Sequence, residues 1–228
     1  MVQMTQITQV LAVLLLLIGP GAVDAVAQVQ PPTAPAPRSR AIEIGGFAMF
    51  GQINFAASES FDAIIGDPAG PLLGGGAHVG LPFGGLFVEV GGWKFNDDGE
   101  RAFVSNGQVV SLGIPVEITL TPIEISGGWR FRFNKIPRLL PYAAGGFSSY
   151  GYKETSQFAA TTEDLEERFN GYHILGGAEV KLLRWLGIAG EVAWTTIPDS
   201  IGEAGVSAAF NETDLGGTSF RMKITVGR

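Results

Sequence analysis

Residues 116–134 read VEITLTPIEISGGWRFRFN. In the second half of this stretch Ile123, Ile125, Trp129, Phe131 and Phe133 share one parity, while Glu124, Ser126, Arg130 and Arg132 share the other. Successive side chains of a strand point to opposite faces, so a period of two gives one oily face and one charged face. The pattern returns near the C-terminus, where Phe220, Met222, Ile224 and Val226 interleave with Ser219, Arg221, Lys223 and Thr225. No long segment has helical periodicity, and an all-β protein is predicted.

The N-terminal residues predict export. Val10 to Ile18 is an unbroken apolar run, Gly19 and Pro20 break it, and Ala25-Val26-Ala27 has the small-x-small pattern that precedes a signal-peptidase cut. Nine apolar residues are fewer than the roughly 20 that span a bilayer as a helix. A signal peptide over residues 1–27 is therefore expected, with a retained anchor as the alternative. The n-region MVQMTQITQ has no Lys or Arg. Residues 28–40, QVQPPTAPAPRSR, carry four Pro, which exclude helix and sheet and predict an extended periplasmic linker. Residues 41–228 then form one domain. The absence of Cys excludes a lipoprotein anchor, a disulfide framework and a thiolate metal site. One acid, Asp24, leaves with the signal peptide, so 21 acids face 15 bases and the net charge is −6, which argues against a nucleic-acid partner.

Eight strand-like stretches fall at about 42–56, 72–82, 86–96, 115–133, 141–153, 169–183, 186–197 and 215–227. Their connections alternate in length. Short turns are predicted at Pro82-Phe83-Gly84-Gly85, Asn134 to Leu140, and Arg184-Trp185; long polar loops at 57–71, 97–114, 154–168 and 198–214. Short turns on the periplasmic side, long loops outside and an even strand count are the habit of transmembrane barrels, with both barrel termini periplasmic. The prediction is an eight-stranded antiparallel up-and-down transmembrane β-barrel.

A secreted soluble lipid-binding β-barrel would show the same alternation with its faces reversed. Three features favour the membrane. The polar parity is rich in small residues, such as Gly128 and Gly177; charged residues are only 16% of the chain; and aromatics gather near strand ends. The expected interface belts comprise Phe55, Trp93, Phe95, Tyr150, Tyr152, Phe169 and Trp194 toward the loops, with Phe47, Phe83, Phe133, Tyr142 and Trp185 toward the turns.

Residues 42–228 carry short signatures, Pro141-Tyr142-Ala143-Ala144-Gly145-Gly146-Phe147, Gly176-Gly177-Ala178-Glu179-Val180 and Gly216-Gly217-Thr218-Ser219-Phe220. With the strand pattern, they make the chain similar to the small outer-membrane β-barrels of the OmpA/OmpX type that stand alone without a peptidoglycan-binding module. The resemblance implies residence in the cell outer membrane, contact with its lipid, insertion by the barrel assembly machinery and a monomer. Such families often end in an aromatic that this machinery reads; here the chain ends Thr225-Val226-Gly227-Arg228, and Gly217, Phe220 and Met222 match the spacing of that signal in part.

With the oily parity toward lipid, Glu89, Glu124, Arg130, Arg132, Glu179, Lys181, Glu191, Arg221 and Lys223 face the lumen. Eight strands enclose a space that side chains just fill, and buried charges persist when paired, so a salt-bridge plug is expected; a proton or ion path, and hence a narrow pore, is the alternative. Trp93 and Phe95 share the parity of Glu89, and a bulge at Gly91-Gly92 would return them to lipid. A lipid-modifying barrel enzyme needs a His beside a Ser and a carboxylate; His173, expected near the outer end of its strand, has Ser148, Ser149 and Glu154 as possible neighbours, and His78 is the second histidine. Asp97-Asp98-Gly99 lacks the remaining calcium-loop ligands, and Asn211-Glu212-Thr213 is an idle sequon in a bacterial-type envelope.

Acidic residues crowd the long loops: Asp97, Asp98 and Glu100; Glu154, Glu163, Asp164, Glu166 and Glu167; Asp199, Glu203, Glu212 and Asp214. A solvated rim sharing divalent cations weakly with lipid phosphates is expected, and residues 162–168, TEDLEER, suggest a helical turn with Leu165 and Phe169 packing down. No cofactor is called for. The whole predicts a non-enzymatic barrel with a plugged lumen, serving envelope structure or loop-mediated surface interaction.

Overall fold

A computed structural model describes residues 42–82, 84–105, 108–156, 165–203 and 205–227. The expected signal peptide and linker, together with Phe83, Glu163 and Asp164, lie outside them. Eight strands run in chain order: β1 (Glu43–Phe55), β2 (Ala69–Gly80), β3 (Leu86–Ser105), β4 (Gln108–Arg130), β5 (Leu139–Thr155), β6 (Leu165–Lys181), β7 (Leu186–Thr196) and β8 (Gly217–Gly227). Each pairs antiparallel with the next. β8 closes on β1 from Gly45 opposite Gly227 to Phe55 opposite Gly217, so the eight strands form a closed ring. Among the described residues no helix is long and apolar enough to cross a membrane; any crossing is made by strands.

The wall obeys the period of two. Along β8, Ser219, Arg221, Lys223 and Thr225 are buried while Phe220, Met222, Ile224 and Val226 are exposed. On β7, Glu191 and Ala193 face in and Ile188, Val192 and Trp194 face out. Charge inside and hydrocarbon outside is the arrangement for lipid, and it rules out the soluble barrel, whose interior would be the oily face.

Toward the loops the chemistry of the two faces reverses while the parity stays. On β4 the inward residues are Arg130, Ser126 and Glu124, then Leu120, Ile118 and Val116; outward stand Trp129, Ile125 and Ile123, then Thr121, Thr119 and Glu117. On β3 the outward Val88 and Val90 give way to Lys94, Asn96 and Asp98, and Lys94 lies at the level of Thr121. β5 to β6 repeat the change, with Phe147, Tyr172 and Ile174 outward on one side of it and Lys153, Glu166 and Arg168 on the other. The lipid-facing belt therefore ends near Thr121, and the barrel wall continues beyond it as an ordinary water-facing sheet around an apolar core. That core joins Met49, Ile53, Phe55, Phe95, Leu120 and Tyr150.

This extension corrects several expectations. Residues 97–114 are not a polar loop: β3 and β4 continue as a hairpin to Ser105 and Gln108, with one register shift between Glu100 and Ala102. Leu165 to Arg168 are strand rather than a helical turn, and Leu165 is exposed; only Phe169 packs toward the core. The first loop contains a helix, α1 (Ser58–Ile65), and the fourth a short one, α2 (Gly205–Phe210). α1 has no side-chain cap of its own; instead both carboxylate oxygens of Glu212 accept the N–H groups of Glu59 and Ser60 at 2.9 Å, tying the fourth loop to the first.

Candidate functional site: a charge-locked lumen between a loop-end cup and a turn-end vestibule

The middle of the lumen is crossed by one connected set of charges. Arg221 on β8 donates from Nη1 to Glu124 Oε2 at 2.7 Å and from Nη2 to Glu124 Oε1 at 2.8 Å, a two-pronged pair. Trp93 Nε1 donates to the same carboxylate at 2.9 Å, and Arg221 Nε donates to Ser219 Oγ at 2.8 Å. Arg221 lies opposite Glu191 in the β7–β8 register, with Nη1 and Oε1 3.6 Å apart. Lys223 Nζ donates to Glu191 Oε2 at 2.7 Å and to Glu89 Oε1 at 2.6 Å, and the Tyr142 hydroxyl donates to Glu191 at 3.0 Å. The side chains of Arg221 and Lys223 are 2% and 3% exposed, and that of Glu191 is 0%. Ions out of water this thoroughly persist only with partners, and each of these has at least one ionic partner.

Aromatic rings fill the space the ions leave. Lys223 sits 4.6 Å from the Phe47 ring and Arg221 5.9 Å from Trp93, whose ring meets Tyr150 edge-on. Gly91 and Gly92 form no bulge, because the β3 register is continuous there against both β2 and β4. Gly76 and Gly91 are small for another reason: a Cβ would lie 2.7 Å and 3.2 Å, respectively, from Phe47 Cζ.

The expected interface aromatics divide. Phe133, just past the end of β4, Trp185, in the β6–β7 turn, and Trp194, outward on β7, are each about half exposed. Phe55, Trp93, Tyr142 and Tyr150 are instead buried inside, and the half-buried Tyr152 packs against the same core with its hydroxyl on Glu154 at 3.2 Å. Their parity points inward, and a ring carrying a donor satisfies a lumen carboxylate, as Trp93 and Tyr142 do. Trp93 sharing the parity of Glu89 was the sequence signal for this. Phe47 and Phe95 are inside too.

The remaining lumen candidates sit toward the turns. Glu179 is buried and accepts from the Thr225 hydroxyl at 3.0 Å. Arg132 is not in the lumen: β4 ends at Arg130, and Arg132 lies exposed on the rim, donating to Glu43 at 2.9 Å. Lys181 is partly buried at the same end. Arg130 is buried over the Phe87 ring at 4.7 Å, with no carboxylate among the described residues in ion-pair reach.

His173 is not near an outer strand end. Because β6 starts at Leu165, the residue falls in mid-strand, 2% exposed, with Nε2 2.7 Å from Ser126 Oγ and Nδ1 2.7 Å from Ser148 Oγ. Both ring nitrogens are occupied by serines, and Glu124 is occupied by Arg221 and Trp93. This buried Ser–His–Ser bridge links β4, β5 and β6 through side chains.

At the loop end a cup of about 720 Å³ opens above the apolar core, with Phe61, Ile118, Val206 and Leu215 in its floor and Glu154, Glu167, Asp199 and Glu203 around it. Arg101 approaches Glu154 at 3.4 Å. Two of the predicted rim acids are structural: Glu212 caps α1, and Asp214 accepts the N–H groups of Ile197 and Gly216 at 2.7 Å and the Thr196 hydroxyl. Among the described residues no group of three or more His, Asp or Glu is placed to hold a metal ion.

No family model matches this chain, and no curated protein matches it in sequence. Among solved structures, a major outer membrane protein from Thermus thermophilus aligns with 83% of this chain and 100% of its own, at 11% identity and a TM-score of 0.51. Neisserial surface protein A aligns with 81% of this chain and 96% of its own at 10% identity and a TM-score of 0.47, and OprG from Pseudomonas aeruginosa with 82% and 92% at 14% and 0.46. At such identities the likeness concerns the fold. A closed ring of eight antiparallel strands, charged within and oily without, has the fold of the small eight-stranded outer-membrane β-barrels.

Proposed function

We propose that this protein is a non-conducting barrel of the outer membrane, exported by residues 1–27 and tethered through residues 28–40. Its work is to stand in the envelope as a rigid pillar and present its loop end to the outside. The observation that carries this reading is the chain Glu124, Arg221, Glu191, Lys223, Glu89, which fills the lumen from wall to wall with side chains almost wholly out of water. An ion that entered would have to break pairs held at 2.6 to 2.8 Å, and a selective pore needs sites weak enough to leave. The loop end supports the presenting role, because it offers a cup with apolar residues at its base and acidic residues around it. Divalent cations shared with lipid phosphates would soften that rim. The sealed His173 gives the enzymatic alternative no access for a lipid substrate.

Planar-bilayer recording tests this directly. The wild-type chain is expected to give no steady conductance, and the paired shortening Arg221→Ala with Lys223→Ala is expected to give openings by removing both cations of the central network at once. Steady single-channel currents from wild type would overturn the proposal.

A further inference from the structure

The turn end of the lumen differs from the middle in that, among the described residues, Arg130 and Lys181 have no carboxylate within ion-pair distance. A cavity of about 190 Å³ opens there, lined by Arg130, His78, Lys181, Arg184, Glu43 and Glu179 among others. Two polar atoms that border it are buried and unpartnered among the described residues: Nε of Arg130, a residue 7% exposed, and Nδ1 of His78, also 7% exposed. The two carboxylates present are engaged elsewhere. Glu43 takes Arg132 at 2.9 Å, and Glu179 takes the Thr225 hydroxyl at 3.0 Å. The Arg130 guanidinium lies over the face of Phe87 with its Nε unbonded, and a buried donor left without an acceptor is strongly disfavoured. His78 is closely seated: Gly45 lies against its ring, and a Cβ there would come within 2.7 Å of Cε1.

We propose that this vestibule is a binding site for a small phosphate-type oxyanion, gripped by the planar fork of Arg130, with His78 and Lys181 completing the cradle and Arg184 at its mouth. Arginine suits the task because its fixed donors match two oxygens of a tetrahedral anion at once. The site faces the end of the barrel where both barrel termini emerge, away from the acidic cup. Its ligand would thus come from the compartment that the turns face, or from headgroups of the leaflet there, which carry the same chemistry.

The test is a titration of the full chain, refolded in a nonionic detergent, with inorganic phosphate at constant ionic strength against sodium chloride. Calorimetry reads the affinity, and backbone amide shifts locate the response. The expected result is saturable phosphate binding that shifts Gly45, Gly187 and Gly227 at the turn end and leaves Gly202 at the loop end still. Arg130→Gln should weaken it at least tenfold, and Glu203→Gln should not change it. Equal responses to chloride, shifts at the loop end, or an unaltered affinity in Arg130→Gln would overturn the proposal. If Arg130→Gln fails to fold, the map on wild type and the variant Lys181→Gln, expected to weaken binding severalfold, decide instead. Repeating the titration in phosphatidylcholine bilayers with and without phosphatidylglycerol separates the two sources: a response blocked by phosphatidylglycerol makes the occupant a headgroup, and one that survives makes it a free anion.

Discussion

The two halves of β4 have the same inward parity and opposite chemistry. From Val116 to Leu120 the strand buries Val116, Ile118 and Leu120 and turns Glu117 and Thr119 outward; from Ile123 to Arg130 it buries Glu124, Ser126 and Arg130 and turns Ile123, Ile125 and Trp129 outward. Pairing fixes which residue faces in, and a slip of one would invert every position, so the register itself runs through both halves unchanged. What changes is the solvent outside. Where water touches the wall, an apolar interior is favoured by transfer from water. Where lipid touches it, the oily residues are already satisfied outside, and the interior needs only to pair what it encloses.

The sharpest way to break the contrast is to unpair the charged half. Glu124→Ala leaves Arg221 with its two-pronged partner gone and only Glu191 at 3.6 Å. The expected loss is about 3–5 kcal/mol, the usual consequence of stranding a buried charge, read from urea unfolding in micelles. Replacing both Glu124 and Arg221 with Met should recover most of it. A loss within about 1 kcal/mol for the single variant, the range of exposed pairs, would mean that water reaches the pair and that the lumen is not sealed.

A second substitution pair maps where the lipid ends. Ile125 and Thr119 both face outward on β4, on opposite sides of the proposed boundary near Thr121. Ile125→Lys should cost about 2–4 kcal/mol in a bilayer and Thr119→Lys about 0–1 kcal/mol, following the depth dependence for charges on a lipid face. Equal costs would move the boundary; unfolding in vesicles of defined thickness measures it.

How much of this was legible in the sequence follows from the same contrast. Strand number, closure, turn ends and the lumen set Glu89, Glu124, Glu191, Arg221 and Lys223 depend on parity alone, and parity is written in the order of residues. Parity does not carry one polarity along whole strands. Residues 97–114 looked like a polar loop because Asn96, Asp98 and Glu100 stand on the outer, watery face of β3. Trp93, Tyr142 and Tyr150 resemble interface anchors because aromatic residues near strand ends serve that role in lipid, whereas the inside of this barrel also takes large rings, Trp93 and Tyr142 donating to lumen carboxylates and Tyr150 joining the apolar core. The unpaired state of Arg130 was not legible at all. At the turn-end rim Glu43 pairs with Arg132, a contact between residues 89 apart in the chain.

That rim pair gives the smallest expected effect and the cleanest control for the largest. Arg132 and Glu43 have side chains 41% and 34% exposed, so their 2.9 Å contact is bathed in water and counter-ions. Arg132→Ala should cost about 0.2–1 kcal/mol, as exposed pairs do. Raising salt to about 1 M shortens the screening length to roughly 3 Å and should erase that cost, while the cost of Glu124→Ala, which arises between side chains shielded from the salt, should persist. The comparison is made in one buffer series on two variants. If both costs fall together with salt, the lumen is as wet as the rim, and the charge lock in the middle of the barrel is only another surface pair.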